Sequence, residues 1–438
     1  MANGFISNVS RDVRVMTAMD DKLAAMRKVH LVVCDLFLPA DFAAEVCADL
    51  RLPALEKMLA RGASTGQGPS AGSGRTGGVG ASLENHLCEL FSVPCEADAP
   101  IAPISAAFDG LGGGCDTLQA QPADCGSSRQ AALPAPEGSA SPCQGGCCWL
   151  RADPVHLRLQ RHQLVLLPEV EVSADEAEQL CAALNEHFAG QGMEFFAPHP
   201  QRWYVRLDRL PDIETVTLSQ AAGRNVRDLL PEGAESAHWH RVFNDIQMLL
   251  FAHPVNEARE ARGALPVNSL WLWGGGCGVD VPLQKAYDCV SSDEVLAEMF
   301  AAAAGIPFAR WPVQWNDSLT LALMERLAIR LGCQNTAAKS LVISQRERGF
   351  PSNGRQLLVW TGLRSALRRG DLDAWRAALQ DFETGYAQPL WQALRTGKIS
   401  QLQMDILGGD RVRHLLLSRA DAWAFWRRAR PLAKYSMV

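Results

Sequence analysis

Two groups of residues have types and spacings that suit the binding of a charged ligand. Asp35 follows a β-branched run at residues 29–34. An acidic group is therefore expected at the carboxyl end of a buried first strand, where open α/β sheets place their active sites. Asn256 and Arg259 lie three residues apart at the start of a predicted helix and could face one ligand, with helix capping and a solvated face as the alternative. Gly274–Gly276 follow the strand-like SLWLW and could let the backbone approach a phosphate, with a tight turn as the alternative.

Other patterns that often carry catalysis give weak signals or none. Cys143, Cys147 and Cys148 form the tightest cysteine cluster of the sequence. A zinc site commonly needs four ligands, and no second cysteine pair lies nearby. We interpret the three residues as incidental thiols in a loop, with metal binding or redox sensing as the alternative. The sequence has no G-x-S-x-G elbow, H-E-x-x-H helix or dinucleotide fingerprint, so typical hydrolase, zincin and Rossmann functions are not expected.

The elements that must position these residues alternate along the chain. Residues 53–61 place apolar side chains on one helical face, between a leading proline and Gly62. Ser173 and Glu176 have the spacing of a capping box at the start of a second helix. Strand-like and helix-like segments continue to alternate toward the C-terminus. This order predicts an α/β fold with a mainly parallel sheet and helices on both of its faces.

Length and composition limit the class of protein. The chain has 438 residues, of which 47% are hydrophobic and 21% charged, with a formal charge of -6. These values are typical of a globular protein with no general attraction for nucleic acid or anionic lipid. No apolar run reaches about 18 residues, and the N-terminus is too polar for a secretory signal. We therefore expect a cytoplasmic protein without membrane contact, with most of its 13 cysteines as free thiols.

Two segments differ in composition from the rest. Residues 63–80 and 109–147 are rich in Gly, Ser, Pro and Ala and have little apolar surface to offset the entropy of ordering. Both are predicted to be flexible loops. Residues 1–28 are predicted to be an N-terminal extension, and residues 29–438 one domain that carries the two loops.

Several segments together resemble one family of bacterial proteins. HPVNEAREARGALPVNSLWLWGGG (253–276), WLRADPVHL (149–157), FNDIQMLL (243–250) and FWRRARPL (425–432) are similar to the RpfE-type regulatory proteins. The similarity follows the chain in order and covers most of it outside the two loops. It implies a regulatory role, since proteins of this type are associated with the regulation of pathogenicity factors in plant-pathogenic bacteria.

The same segments are similar, more distantly, to archaeal-type cofactor-independent phosphoglycerate mutases of the alkaline phosphatase superfamily. Those enzymes use two divalent metals and a serine that becomes transiently phosphorylated. The resemblance implies an alkaline-phosphatase-like core, Asp35 as a metal ligand and Ser82 as the nucleophile. It also matches Arg151 to an arginine of the mutases, and a guanidinium suits a phosphate or carboxylate, with a salt bridge as the alternative. The predicted substrate contacts are Arg151, Asn256, Arg259, Gly274 and Gly276.

The chain departs from the mutases at their metal-binding motifs. Residues 217–223 stand in the place of an Asp-Pro-His-Asp stretch but contain neither histidine nor aspartate, and residues 405–410 lack the histidine of a late Asp-His-Gly motif. Each ion of a two-metal site needs several carboxylate or histidine ligands, so losing them should abolish metal binding. We therefore expect a regulatory pseudoenzyme without a cofactor, which binds a small anionic or phosphorylated ligand or a protein partner.

An active enzyme is the alternative hypothesis. The chain would then be a phosphoglycerate mutase or a metal-dependent phosphatase that uses Asp35 and Ser82 with Mn²⁺, Mg²⁺ or Zn²⁺. Nucleic acid is not an expected partner under either hypothesis, because the chain has 48 acidic and 42 basic residues.

Overall fold

The computed structural model describes residues 28–69, 82–95, 98–111, 147–278, 283–311, 354–408 and 411–435. The strands are β1 (Lys28–Cys34), β2 (Ala63–Pro69), β3 (Cys148–Gln160), β4 (Gln163–Leu167), β5 (Met193–His199), β6 (Arg202–Leu207), β7 (Ser269–Cys277), β8 (Cys289–Ser292), β9 (Phe308–Arg310), β10 (Arg355–Trp360), β11 (Gln401–Gly408) and β12 (Arg411–Ser418). The α-helices are α1 (Ala40–Val46), α2 (Pro53–Arg61), α3 (Leu83–Leu90), α4 (Ile101–Phe108), α5 (Ala174–His187), α6 (Leu218–Ala221), α7 (Ser236–Phe251), α8 (Pro254–Ala261), α9 (Val295–Ala303), α10 (Arg364–Arg369), α11 (Leu372–Phe382), α12 (Gln388–Thr396) and α13 (Arg419–Ala422). A π-helical turn at Glu383–Ala387 joins α11 to α12.

The chain divides into two compact units. The first comprises Met1–Ser92 and Leu283–Val438, and the second comprises Val93–Pro282. None of the helices described in either unit combines the length and the apolar character that a membrane crossing requires.

The first unit is built on a seven-stranded sheet in the order β2-β12-β11-β1-β10-β8-β9. The pairs formed by β1 with β10 and β11, and by β8 with β9 and β10, are parallel, whereas β12 pairs antiparallel with β11 and β2. From Val29 to Cys34 the central strand β1 is apolar apart from His30, as expected for a strand covered on both faces. The predicted α/β fold with a mainly parallel sheet is confirmed.

Helices cover both faces of this sheet. On one face, Val29, Leu31 and Val33 of β1 pack into a core that also contains buried side chains of α2, α11 and α12. On the other face, α9 packs on β8, and Phe91 after α3 contacts Phe300 of α9. The helix α3 therefore lies on the face toward which His30 points.

The second unit contains an antiparallel sheet in the order β4-β3-β6-β5, with β7 paired to β3. The predicted capping box is confirmed, since Ser173 and Glu176 bond reciprocally at the start of α5. A disulfide between Cys148 and Cys277 joins β3 to β7. The prediction of Cys148 as a loop thiol was wrong, because this residue begins a strand; Cys143 lies outside the described residues.

Two further predictions need correction. Residues 63–69 were predicted to belong to a flexible loop but form β2, because main-chain pairing with β12 needs no apolar side chains. Residues 70–80 and 112–146, which make up most of the predicted loops 63–80 and 109–147, lie outside the described residues. The glycines at 274–276 lie within β7 and do not follow its end.

Candidate functional site

Asp35 lies directly after β1, at the carboxyl end of the parallel strands. Its backbone has a φ of 60°, which is uncommon for a residue other than glycine, and its N–H donates to the carbonyl oxygen of Leu407 at 2.7 Å. Its carboxylate accepts a hydrogen bond from Nε of Arg364 at 3.2 Å. Asp35, the predicted metal ligand, thus lies at the carboxyl end of the parallel strands as expected, but its partner is the guanidinium group of Arg364.

Arg364 places a positive charge among several acidic groups. It is the first residue of α10, and its side chain is 18% exposed. Burial alone would lower the pKa of Arg364, but neighbouring acidic groups outweigh burial and raise it above its ordinary value. These groups are Cys34, Asp35, Glu84 and Glu294.

Asp293 and Glu294, which follow β8, add two carboxyl groups at the same end of the sheet. Asp293 accepts hydrogen bonds from the N–H of Thr361, at 2.9 and 3.1 Å, which ties the end of β8 to the end of β10. Burial raises the pKa of Asp293 and also that of Glu294, whose side chain caps α9. The edge therefore combines several carboxyl groups with the Arg364 cation.

Ser82, the predicted nucleophile, is the N-cap residue of α3. Its hydroxyl oxygen accepts a hydrogen bond from the N–H of Asn85 at 3.1 Å, and the residue is 3% exposed. An N-cap bond of this kind stabilises a helix whether or not the serine reacts. A catalytic role for Ser82 stays a prediction.

A second polar cluster of the first unit surrounds Asp405 of β11. Its Oδ2 lies 2.7 Å from Nε2 of His30 and 3.0 Å from Nε2 of His86, and its Oδ1 lies 2.9 Å from Nδ1 of His414. His30, His86 and Asp405 are 1%, 2% and 1% exposed. Three imidazole rings from β1, α3 and β12 thus meet one carboxylate within the protein.

The outer nitrogens of two of these rings also have partners. Nδ1 of His30 lies 2.7 Å from the hydroxyl of Tyr287, and Nδ1 of His86 lies 3.3 Å from a carboxylate oxygen of Glu89. Burial lowers the pKa of His30. Burial acts the same way on His86, but its bonds to Asp405 and Glu89 outweigh it and raise the pKa. For the Asp405 carboxyl, the histidine bonds outweigh burial and hold the pKa well below its usual range.

Sequence reasoning did not find this cluster. The sequence places His30 within a β-branched run and Asp405 within a motif that lacks its histidine, and neither position by itself predicts a shared site. The available signal was an ionisable residue next to apolar residues in each of two strands, His30 in β1 and Asp405 in β11, because such a residue normally needs a partner when it is buried.

Arg151 lies on β3 in the second unit and is 7% exposed. One of its terminal nitrogens donates to Asp153 at 2.5 Å, and the guanidinium carbon lies 5.1 Å from the ring centre of Tyr204 and 5.4 Å from that of Trp273. Its Nε is buried with no hydrogen-bond partner in the part of the chain that the structure describes. Arg151 therefore forms a salt bridge, as the alternative interpretation expected, and its Nε is a donor without an acceptor among the described residues.

A second guanidinium, Arg202 on β6, holds Asp109 in a bidentate pair. The two bonds measure 2.9 and 2.7 Å, and the hydroxyl of Tyr204 donates to the same carboxylate at 2.6 Å. Burial acts to raise the pKa of Asp109, but the bonds from Arg202 and Tyr204, together with the charge of Arg151, lower it. Arg151 and Arg202 therefore act on one carboxylate, which lies at the end of α4.

Asn256 and Arg259 are buried on α8, and the protein itself uses their polar groups. The Asn256 amide bonds to the main chain of Leu250 and Val267 over 2.7–2.9 Å. The Arg259 guanidinium bonds to Glu176 and to the main chain of residues 171 and 265. Asn256 and Arg259 therefore share no hydrogen-bond partner with Arg151 among the described residues. Their role in substrate binding stays a prediction.

Gly274 and Gly276 make room for the start of α4. A Cβ atom on Gly276 would lie 2.7 Å from Cβ of Pro100, and one on Gly274 would lie 3.3 Å from Cβ of Ile101. Gly274 also has a φ of 68°, which favours glycine. The close approach that these glycines allow is to another part of the chain, and contact with a phosphate stays a prediction.

Comparisons with known proteins give a distant similarity. Curated 2,3-bisphosphoglycerate-independent phosphoglycerate mutases match the chain, that of Methanosarcina barkeri with 26% identity over 120 residues and that of Methanosarcina mazei with 27% over 107 residues. The chain is distantly similar to these mutases. The matches cover 27% and 24% of this chain and 30% and 27% of the relatives, so they span less than a third of either relative. No family model matches the chain.

Two solved structures were also found. A cofactor-independent phosphoglycerate mutase from Thermoplasma acidophilum has a TM-score of 0.35 at 13% identity, with 89% of each chain covered. A protein from Pyrococcus horikoshii has a TM-score of 0.43 at 13% identity, with 90% of this chain and 88% of that chain covered.

The described residues at the carboxyl ends of the parallel strands do not fit the two-metal site implied by the resemblance. The first unit contains three histidines, and all of them contact Asp405; the other histidines of the chain lie in the second unit. A dication bound to Asp35 would also lie next to the guanidinium of Arg364, which already neutralises that carboxylate. This end of the sheet therefore holds a carboxylate cluster with the Arg364 guanidinium as an internal countercharge.

Proposed function

We propose that this chain is an RpfE-type regulatory protein that binds a small anionic ligand and has no metal-dependent turnover. The ion pair between Arg364 and Asp35 is the observation that carries the second half of this proposal. In two-metal phosphoryl transfer, the ions must hold both the attacking and the leaving oxygen. A guanidinium can donate hydrogen bonds to an oxygen, but it cannot generate a metal-bound nucleophile.

The anionic ligand is assigned to the second unit, around Arg151 and Arg202. A planar guanidinium fork suits a carboxylate or a phosphate, and Arg202 already binds Asp109 in that way. The Nε of Arg151 remains as an unused buried donor among the described residues. Asp109 therefore takes the position that a ligand carboxylate or phosphate would occupy, and binding would require the ligand to displace it.

This competition predicts opposite effects for two substitutions, measured by calorimetric titration with inorganic phosphate and with 3-phosphoglycerate. Asp109→Asn should tighten binding, since the competing charge is removed while the side-chain volume is kept. Arg202→Met should weaken it by about tenfold or more, the usual effect of losing a charged hydrogen bond. Asp208→Asn, an exposed aspartate of the same unit, is the charge control and should leave affinity unchanged.

Two results would contradict this assignment of the ligand site. One is equal tightening in the Asp109 and Asp208 variants, which would indicate a general charge effect. The other is the absence of binding in both the wild-type protein and Asp109→Asn at millimolar ligand.

The curated relatives are named as mutases, which favours an active enzyme as the second candidate. This candidate uses Asp35 and Ser82 and predicts that Mn²⁺ supports the conversion of 3-phosphoglycerate to 2-phosphoglycerate. We expect no conversion above that of Ser82→Asn, a variant that retains an N-cap side chain but lacks the hydroxyl. Metal-dependent turnover that disappears in Ser82→Asn while the variant unfolds at the wild-type temperature would establish the enzyme and reject the proposal of no turnover.

A further inference from the structure

We propose that His30, His86 and Asp405 bind one zinc ion inside the first unit. Each residue offers one ligand atom, and the three atoms lie within 4.8 Å of one another. The histidine nitrogens that face Asp405 are Nε2 of His30 and Nε2 of His86. Asp405 lies within β11, paired with Val32 of β1, whereas Asp35 follows the end of β1. This centre is therefore distinct from the carboxylate cluster around Asp35 at the carboxyl end of β1.

The spacing of the donor atoms is close to that of a tetrahedral site. Zinc bonds to nitrogen and oxygen of about 2.0–2.2 Å place neighbouring ligand atoms roughly 3.4 Å apart. The Asp405 oxygen lies 2.7 Å from Nε2 of His30 and 3.0 Å from Nε2 of His86. An outward shift of less than about 1 Å would therefore admit the ion. Two imidazoles and one carboxylate form a donor set that suits zinc better than magnesium or calcium.

The groups behind the ligands are those that orient metal-bound histidines. The outer nitrogen of His86 faces the Glu89 carboxylate, and that of His30 faces the Tyr287 hydroxyl. Such contacts fix the ring so that its other nitrogen points its lone pair at the metal. His414 supports the remaining oxygen of Asp405 in the same manner.

The charges around His86 suit a bound cation. Carboxylates face both of its nitrogens, Glu89 at Nδ1 and Asp405 at Nε2. A neutral imidazole has one N–H and one lone pair, so His86 either carries a second proton or binds a cation at the nitrogen that would otherwise face a carboxylate with its lone pair. A zinc ion at Nε2 removes this conflict, and the N–H at Nδ1 then donates to Glu89.

A cavity lies next to His30 of the cluster. It has a volume of about 220 Å³ and is lined by Lys28, Val29, His30, Arg355, Gln401 and Gln403. Most of these residues stand at the amino ends of β1, β10 and β11, and the cavity reaches His30. The described residues offer three ligands, so a water molecule would complete a tetrahedral site.

The test is metal analysis of the full chain after chelation and reloading. Protein treated with a chelator is incubated with Zn²⁺ or Co²⁺, freed of excess ion, and analysed for metal content, visible absorption and unfolding temperature. The wild-type protein should retain one ion per chain, unfold at a higher temperature with Zn²⁺ than with Mg²⁺, and give a Co²⁺ spectrum without a thiolate charge-transfer band. His30→Gln, His86→Gln and Asp405→Asn should each lose the ion.

His414→Gln is the matched control, because His414 contacts Asp405 but lies outside the ligand set. It should keep one ion per chain with an affinity weakened by about 10–100-fold, as is usual for an outer partner. If the ligand variants do not fold, the wild-type protein alone decides the matter. Wild-type protein that retains no ion, or a Co²⁺ spectrum dominated by a thiolate band, would overturn the proposal. The anion site proposed around Arg151 lies in the other unit and is tested separately.

Discussion

Arg364→Met should destabilise the first unit by about 2–4 kcal/mol, because it leaves the surrounding carboxyl groups without their countercharge. This loss is smaller than that for a fully buried pair, because the side chains of Arg364 and Asp35 are 18% and 28% exposed. Urea denaturation followed by tryptophan fluorescence would measure the change. Asp35 follows the central strand of the sheet, so the loss should appear in the cooperative unfolding of this unit.

The same variant should gain affinity for divalent cations. With the guanidinium removed, Asp35 and its acidic neighbours form an uncompensated cluster, so Mn²⁺ should recover part of the lost stability through binding to the folded state. Arg369→Met is the control, because Arg369 is an exposed residue of the same helix, and its replacement should change stability by no more than about 0.5 kcal/mol. Wild-type stability in Arg364→Met, or an equal response of both variants to Mn²⁺, would show that Arg364 does not neutralise the cluster.

The elements of the fold followed from local patterns in the sequence. The β-branched run before Asp35, the proline-led helix at 53–61 and the capping box at Ser173 are local signals, and each corresponds to an element of the structure. The strand at 63–69 gave no such signal. Its glycine-rich sequence forms a strand because β12 offers a partner across more than 340 residues of sequence.

The contacts at the candidate sites depended on long-range pairing that the sequence does not encode locally. Arg364 is separated from Asp35 by 329 residues, and Asp405 from His30 by 375. Sequence reasoning identified Asp35 but not the cation beside it. It identified Asn256 and Arg259 by their spacing, although both side chains bond within the second unit.

The largest loss of stability is expected for Asp405→Ala, measured with a chelator present so that no metal contributes. Removal of the carboxylate leaves the ring N–H groups directed at it by His30 and His86 without an acceptor, in an interior where both residues are at most 2% exposed. Each such group costs about 1–3 kcal/mol, and a cavity is added, so a total of roughly 4–5 kcal/mol is expected. Asp405→Asn should cost less than Asp405→Ala, since its amide oxygen can still accept one hydrogen bond.

Gln401→Ala, at the start of the same strand, is the control for a change in β11 itself. We expect a loss of no more than about 0.5–1 kcal/mol there, because Gln401 is only half-buried. A loss in Asp405→Ala no larger than that control would show that the histidines find other partners and that the cluster does not support the sheet. A large loss in the chelated protein, together with a further rise in stability when Zn²⁺ is returned to the wild type alone, would separate the hydrogen-bonding contribution of Asp405 from its contribution as a metal ligand.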